Sequence, residues 1–152
     1  MNEKSFSSGD VIRIIIDNNT IKKYNEYYFN KYPRRTKAPI GSPIHPSINV
    51  WFIMRRPEMN NLKCRWKDFI VWLIEDIGLS NIGIESCTMK FVSYYPTRRR
   101  VDVDNVAPKF IIDGLVDAGL IVDDSYKHLK SLTLQCDYDK NNPRTEIFIF
   151  VE

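Results

Sequence analysis

Two aspartates, Asp102 and Asp104, are separated by one residue in the segment 98–105, which reads Arg-Arg-Arg-Val-Asp-Val-Asp-Asn. If residues 101–104 form a strand, the two-residue side-chain period places both carboxylates on one face. Like charges this close repel each other, so a cation between them stabilises the pair. Because Mg²⁺ prefers oxygen ligands and often binds carboxylates together with a substrate phosphate, the spacing favours a magnesium site. The alternative is an exposed Asp-x-Asp turn without a metal.

A second acidic pair, Asp123 and Asp124, follows a predicted helix by a few residues. If this helix starts beside the first pair and the chain loops back toward the sheet, both pairs meet at one sheet end and form a three-carboxylate site. Within the helix, Lys109 and Asp113 are four residues apart and therefore share a face. They are either a surface ion pair, which contributes roughly 0.3 to 0.5 kcal/mol, or a phosphate-directed lysine and the aspartate that positions it.

Charge is distributed unevenly along the chain. Residues 1–100 carry 17 Lys and Arg against 9 Asp and Glu, whereas residues 101–152 carry 5 against 10. A basic body with a compact acidic cluster is typical of a protein that holds a polyanion against a cation site, with chance segregation as the alternative. The run Arg98, Arg99 and Arg100 lies beside the acidic cluster, and we predict that these arginines contact DNA.

Residues 20–46 interleave lysine and arginine with tyrosine, and three prolines follow. We interpret the segment as a partly irregular, exposed arm. Basic and aromatic residues in alternation are typical of surfaces that bind the DNA backbone and stack on bases, so Arg34 and Arg35 are further candidate DNA contacts. An aromatic segment packed on the core is the alternative.

The hydrophobic pattern predicts one α/β domain, residues 1–152, with a mixed β-sheet and two main helices. A helix from residue 60 ends at Gly78, and a second one, with Asn105 as its N-cap, ends near Ala118 before Gly119. Val106, Phe110 and Leu115 are expected to face the core. The predicted strands are residues 11–16, 47–56, 85–95, 101–104, 126–137 and 145–151, with a hairpin turn at 139–143.

Several classes of protein are disfavoured by composition. No apolar run approaches the roughly 20 residues needed to cross a bilayer, and residues 1–10 lack the apolar stretch of a signal peptide, so we expect a cytoplasmic protein. Three scattered cysteines without a Cys-x-x-Cys pair, and only two histidines, disfavour a zinc site and a disulfide framework.

One ordered set of residues resembles the RusA family of Holliday junction resolvases, which are small homodimeric enzymes frequently encoded by phages and prophages. The match is close over residues 96–135, whereas the earlier part of the chain agrees only in layout. It comprises Asp102, Val103, Asp104, Asn105, Lys109, the run Asp113-Gly114-Leu115, the pair Ala118-Gly119 and the pair Asp123-Asp124. The order is long and specific.

The resemblance implies that Asp102, Asp104 and Asp124 bind Mg²⁺, that Lys109 is the essential lysine, and that Asn105 is the motif's asparagine. It also implies a homodimer that cleaves four-way DNA junctions. One departure is that Lys109 follows Asp104 by five residues, where the family pattern has four. We expect the loop before the helix to absorb the extra residue. A non-catalytic DNA-binding module, or a nuclease for flaps, forks or RNA, is the competing hypothesis.

Overall fold

The computed structural model describes residues 4–152. Residues 1–3, part of the polar N-terminal stretch considered above, lie outside the described residues. The strands are β1 (Val11–Asp17), β2 (Cys87–Tyr95), β3 (Leu129–Tyr138) and β4 (Arg144–Val151). The helices are α1 (Asn18–Lys31), α2 (Ile48–Trp51), α3 (Arg56–Asp76) and α4 (Lys109–Asp117), and a 3-10 helix spans Val103–Val106.

The four strands form one mixed sheet in the order β1-β4-β2-β3. β4 pairs antiparallel with both β1 and β2, and β3 pairs parallel with β2. The α/β fold with a mixed sheet is therefore confirmed. The predicted hairpin is wrong, because β3 and β4 are separated by β2 and the connection between them passes the end of β2, where Asp139 N–H donates to the Tyr95 carbonyl at 2.9 Å.

The core lies between the sheet and the helices. Alternate residues of β1 are buried, as are those of β4 that face the same way, and they pack with the apolar stripe of α3 and with most of α4. Val106, Phe110 and Leu115 are buried, as expected. α3 and α4 approach so closely that a Cβ on Gly114 would lie 2.6 Å from the Ile70 Cβ, so only glycine fits at that position.

The prediction of a partly irregular, exposed arm holds for residues 32–38 and is wrong for the first part of the segment, which is helical. Asp17 and Thr20 form a capping box that starts α1, with Thr20 N–H donating to Asp17 Oδ1 at 2.9 Å. Tyr24 is buried on the core side of α1. The following irregular segment is also anchored, because the Thr145 hydroxyl donates to the Pro43 carbonyl at 2.7 Å. The exposed residues of the segment include several on α1 and all of residues 32–38, and Arg34 and Arg35 are among them.

Two predicted strands are also wrong. Residues 47–56 contain the short helix α2 and the start of α3, in whose first turn Pro57 needs no backbone hydrogen-bond donor. Residues 101–104 lead into the 3-10 helix, and Asn105 lies inside that helix rather than at an N-cap. The helices are more numerous than the two main ones expected, since α1, α3 and α4 all exceed two turns.

Other predicted boundaries agree more closely. α3 ends just before Gly78, and α4 ends at Asp117, after which Gly119 adopts a positive φ of 74°. Cys64, Cys87 and Cys136 are free thiols. Across residues 4–152, no helix combines the length and the apolar character that spanning a membrane requires.

Candidate active site

Lys109, the first residue of α4, lies between two carboxylates. Its Nζ is 3.1 Å from Asp113 Oδ1, one helical turn along α4, and 3.6 Å from Asp124 Oδ2 in the segment that follows the helix. The predicted helix-face pair of Lys109 and Asp113 is therefore present, and the chain does return Asp124 to the start of α4. The structure thus brings together two residues of α4 and one residue of the segment that follows it.

Asp113 is held from two sides. Its Oδ1 accepts a hydrogen bond from Lys109, and its Oδ2 lies 3.8 Å from Nζ of Lys63 on α3. Only 14% of the Asp113 side chain is exposed, and the buried Oδ2 has no hydrogen-bond partner among the described residues. A carboxylate whose two oxygens each lie near an ammonium group is fixed in its orientation, so Asp113 is suited to fixing the position of Lys109.

The charge state of Lys109 follows from these neighbours. Partial burial by itself would lower the pKa of the Lys109 ammonium, but the hydrogen bond and charge of Asp113, together with Asp124, raise it above its ordinary value. Lys109 is therefore a cation at neutral pH. It can stabilise negative charge, and it is not suited to act as a general base.

The two members of the second acidic pair have different surroundings. The Asp124 backbone N–H and the Ser125 hydroxyl lower the pKa of the Asp123 carboxyl, which is partly exposed. Asp123 thus interacts with its own loop, whereas Asp124 faces Lys109. This difference favours Asp124 as the functional member of the pair.

Asp102 and Asp104 lie at the 3-10 helix, so strand alternation does not place them on one face. Asp102 is extended, with φ −81° and ψ 127°, immediately before the helix, and Asp104 is inside it. Both are exposed, and Asp102 Oδ1 lies 3.4 Å from Nε of Arg100. α4 begins at Lys109, so residues 106–108, where the family spacing differs, precede the α-helix as expected.

Whether the site fits a divalent cation depends on the chemistry of its donor atoms. Asp102, Asp104 and Asp124 offer carboxylate oxygens, the type that Mg²⁺ prefers, and none of the three is buried. In residues 4–152, however, no three carboxylate, imidazole or thiolate groups are close enough to hold a metal ion together. The donors therefore fit in kind, but the chain alone does not assemble them.

The predicted DNA contacts fall into two places. Asn105 Oδ1 accepts from the Asn49 N–H at 3.3 Å, which ties the 3-10 helix to α2. Arg98, Arg99 and Arg100 are exposed beside it, and the Arg98 guanidinium lies 4.6 Å from the centre of the Tyr138 ring. Arg34 and Arg35 are not part of this cluster. They line a cavity with Tyr28 and Arg65 instead.

His45 was missed by the sequence reasoning. Its Nε2 accepts the Phe110 N–H at 3.0 Å, in the first turn of α4, while its Nδ1 lies 2.7 Å from the Pro46 carbonyl. An Nε2 that accepts leaves the proton of a neutral ring on Nδ1. Burial lowers the pKa of His45 to about 4, against the opposing effects of Pro46 and Asp113. A lone histidine between irregular residues carries no signal of this role.

Carboxylates around a cationic lysine are suited to a phosphodiester, and the chain also carries an exposed arginine-rich segment next to Asp102. Comparison with known proteins gives the class: a family model for the endodeoxyribonuclease RusA matches residues 4–150. The chain therefore belongs to the RusA family of endodeoxyribonucleases, as the motif at residues 96–135 predicted. No match was found among curated proteins.

Proposed function

We propose that this protein is a magnesium-dependent, structure-specific DNA endonuclease that resolves Holliday junctions by paired hydrolytic nicks. The observation that carries the proposal is the placement of Lys109 between Asp113 and Asp124 in a chain of the RusA family. The family supplies the nuclease class. Junction resolution, paired cleavage and the metal are the parts that need testing.

Each residue of the site has a proposed role. Asp102, Asp104 and Asp124 would hold Mg²⁺, which when bound polarises the scissile phosphate and lowers the pKa of an attacking water. Lys109 would offset negative charge as it builds on the phosphoryl oxygens, with Asp113 fixing its direction. No side chain of the motif is suited to forming a covalent intermediate, so direct hydrolysis would leave a 5′ phosphate and a 3′ hydroxyl.

DNA would bind next to these carboxylates. Arg98, Arg99 and Arg100 are exposed and can neutralise phosphates, and Asn105 would contact the strand near the cut. Arg34 and Arg35 would contact DNA farther from the cut. A role in recombination and repair follows from resolving four-way junctions.

The proposal includes a homodimer. A four-way junction has two-fold symmetry, and two nicks on opposed strands require two sites related by the same symmetry. A two-fold dimer supplies one site for each strand. Sedimentation of the protein should therefore show a dimer, and an active monomer would contradict this part.

A substrate panel tests the function. Labelled four-way junction, flap, fork, linear duplex, single-stranded DNA and single-stranded RNA are each incubated with Mg²⁺ or with EDTA. We expect cleavage of the junction alone, in symmetric pairs, and only with Mg²⁺. Preferential cleavage of flaps, forks or RNA would make the protein a nuclease with a different target, and tight binding without any cleavage would make it a DNA-binding module.

A further inference from the structure

A groove lies between α1 and α3, away from the candidate active site. Its volume is about 820 Å³, and it shares Tyr28, Arg35 and Arg65 with a smaller cavity of about 340 Å³. The two cavities are therefore adjacent. On α3 the groove is lined by the side of the helix that carries Arg65 and Trp72, whereas Lys63 pairs with Asp113 of α4.

Four tyrosines and one tryptophan line this groove. Tyr24 is buried and lies 5.2 Å from Trp72 between ring centres, so it forms the floor. Tyr27 on α1 and Tyr32 just after it are 42% and 43% exposed. Tyr28 lies between Tyr24 and Tyr32, with its ring centre 6.4 Å and 5.0 Å from theirs. The rings at the rim therefore present surface to a ligand rather than to the core.

Positive charge surrounds the rings. Lys31 Nζ lies 6.0 Å from the centre of the Tyr27 ring and 5.6 Å from that of Tyr32. Around the two cavities, five basic residues outnumber two acidic ones. The basic residues are Lys31, Arg34, Arg35, Lys37 and Arg65, and the acidic ones are Asp68 and Glu75. The lining thus favours an anionic ligand with flat apolar groups.

We propose that the α1–α3 groove binds an unpaired DNA strand, with bases stacked on Tyr27 and Tyr32 and phosphates contacting Arg35 and Arg65. Exposed rings interleaved with basic side chains match the two needs of a single strand, base stacking and charge neutralisation. A duplex satisfies only the second need, because its bases are stacked on each other. The groove requires neither metal nor cleavage, so it goes beyond the proposed function.

The α1–α3 groove would be a second binding site for branched DNA. Unpaired nucleotides occur where strands exchange or fray at a branch, and they are absent from linear duplex. Binding them on one side of α3 while the candidate active site lies on the other would favour branched substrates over duplex.

The experiment measures fluorescence anisotropy of a fluorescein-labelled 12-nucleotide thymidine strand in EDTA. Tyr27→Ala combined with Tyr32→Ala should weaken binding roughly tenfold or more, as expected when two stacking rings are lost. Tyr27→Phe combined with Tyr32→Phe retains the rings and should bind within about twofold of wild type. Phe150→Ala, which removes an exposed ring from the sheet, is the matched control and should bind normally.

Further measurements keep the proposal open to refutation. If the double alanine variant does not fold, as judged by thermal unfolding, the phenylalanine pair and Arg65→Glu decide the matter, because Arg65→Glu should weaken binding and reduce its salt dependence. Wild-type affinity in the folded alanine variant or in Arg65→Glu would overturn the proposal. Loss of self-association by either variant in sedimentation would also overturn the proposal, because it would assign the groove to a second copy of the chain. Junction cleavage with Mg²⁺ is scored separately, so failure of the nuclease proposal leaves this result intact.

Discussion

The two halves of the candidate active site differ in how firmly the fold holds them. Lys109, Asp113 and Asp124 are joined by ion pairs, and Lys63 on α3 adds support from a second helix. Asp102 and Asp104, by contrast, are exposed, and among the described residues the ion pair of these two carboxylates is the one from Arg100 to Asp102. One half is thus positioned by the protein, and the other half is presented to solvent.

This difference indicates where the site must be completed. Three carboxylates gathered without a cation would repel one another, and the structure instead places Lys109 against Asp124 and leaves Asp102 and Asp104 exposed. A metal ion and a DNA phosphate would supply what the isolated chain lacks. The experiments below test the contrast, starting with the largest expected effect.

Removing a carboxylate from either half should have the largest effect. Asp102→Asn, Asp104→Asn and Asp124→Asn should each slow single-turnover junction cleavage in Mg²⁺ by roughly a thousandfold, since each removes an anionic ligand at nearly constant size. Gel-shift affinity without metal should be retained or strengthened, because less negative charge faces the DNA.

Two matched variants sharpen this comparison. Asp117→Asn removes a partly exposed ion pair with Lys67 at 2.8 Å and should cleave normally. Asp123→Asn should be milder than Asp124→Asn, because Asp123 interacts with its own loop. Near wild-type cleavage by all three main variants would instead favour the DNA-binding module.

Lys109 tests the fixed half alone. Lys109→Met removes the cation between Asp113 and Asp124, so cleavage should fall by roughly a hundredfold while junction affinity changes little. Lys63→Met, which removes the longer contact to Asp113, should have a smaller effect. Equal effects of the two variants on cleavage would show that Lys109 acts only as a structural ion pair.

His45 accepts a hydrogen bond from the start of α4 and makes the free energy of unfolding of the protein depend on pH. Burial lowers the pKa of His45 from 6.5 to about 4 in the folded protein, so between these values the unfolded chain binds a proton that the folded chain does not. The free energy of unfolding should therefore be unaffected by this group above pH 6.5 and fall by roughly 3 kcal/mol as pH drops to 4.

Urea denaturation at a series of pH values measures this dependence. His45→Gln does not titrate in this range and still offers an oxygen to the Phe110 N–H, so its stability should vary less between pH 6.5 and 4. His45→Leu removes the acceptor and should be destabilised by roughly 1 to 3 kcal/mol at pH 7. An unchanged pH profile in His45→Gln would contradict the assignment.

The exposed arginines at residues 98–100 should produce the smallest effects, and these should depend on salt. Junction affinity should fall steeply as salt rises, and Arg98→Ala and Arg99→Ala should each reduce the slope of log affinity against log salt by about one, the value for one phosphate contact. Arg100→Ala should change less, because Arg100 already pairs with Asp102. Affinity independent of salt would remove the electrostatic part of the DNA-binding proposal.

Local patterns predicted the elements that carry strong periodicity. The apolar stripe of α3, the apolar run in β1, the alternation in β4, and Gly119 after α4 were all visible in the sequence. α1 was missed because only Ile21 and Tyr24 of its 14 residues are buried, although the Asp17 and Thr20 capping pair signals a helix start. Periodicity therefore succeeds where one face is fully buried and fails where it is not.

The candidate site was predictable in its members more than in its geometry. The order of motif residues indicated Lys109, Asp113 and Asp124, which do lie together. The convergence of Asp102 and Asp104 was argued from an extended chain that the structure replaces with a 3-10 helix. His45 lies 65 residues from its partner Phe110 in sequence, and no local pattern predicts so distant a contact.

The strand order has a consequence for synthesis of the protein on the ribosome. β4 follows every other described element in the chain, yet it lies between β1 and β2, and pairs such as Val11 with Phe150 span nearly the whole sequence. Until β4 leaves the exit tunnel, β1 has no neighbouring strand and the apolar faces of α3 and α4 lack half of their sheet. Such long-range pairing makes folding slow, so chaperone binding to the new chain is expected to persist until β4 has left the exit tunnel.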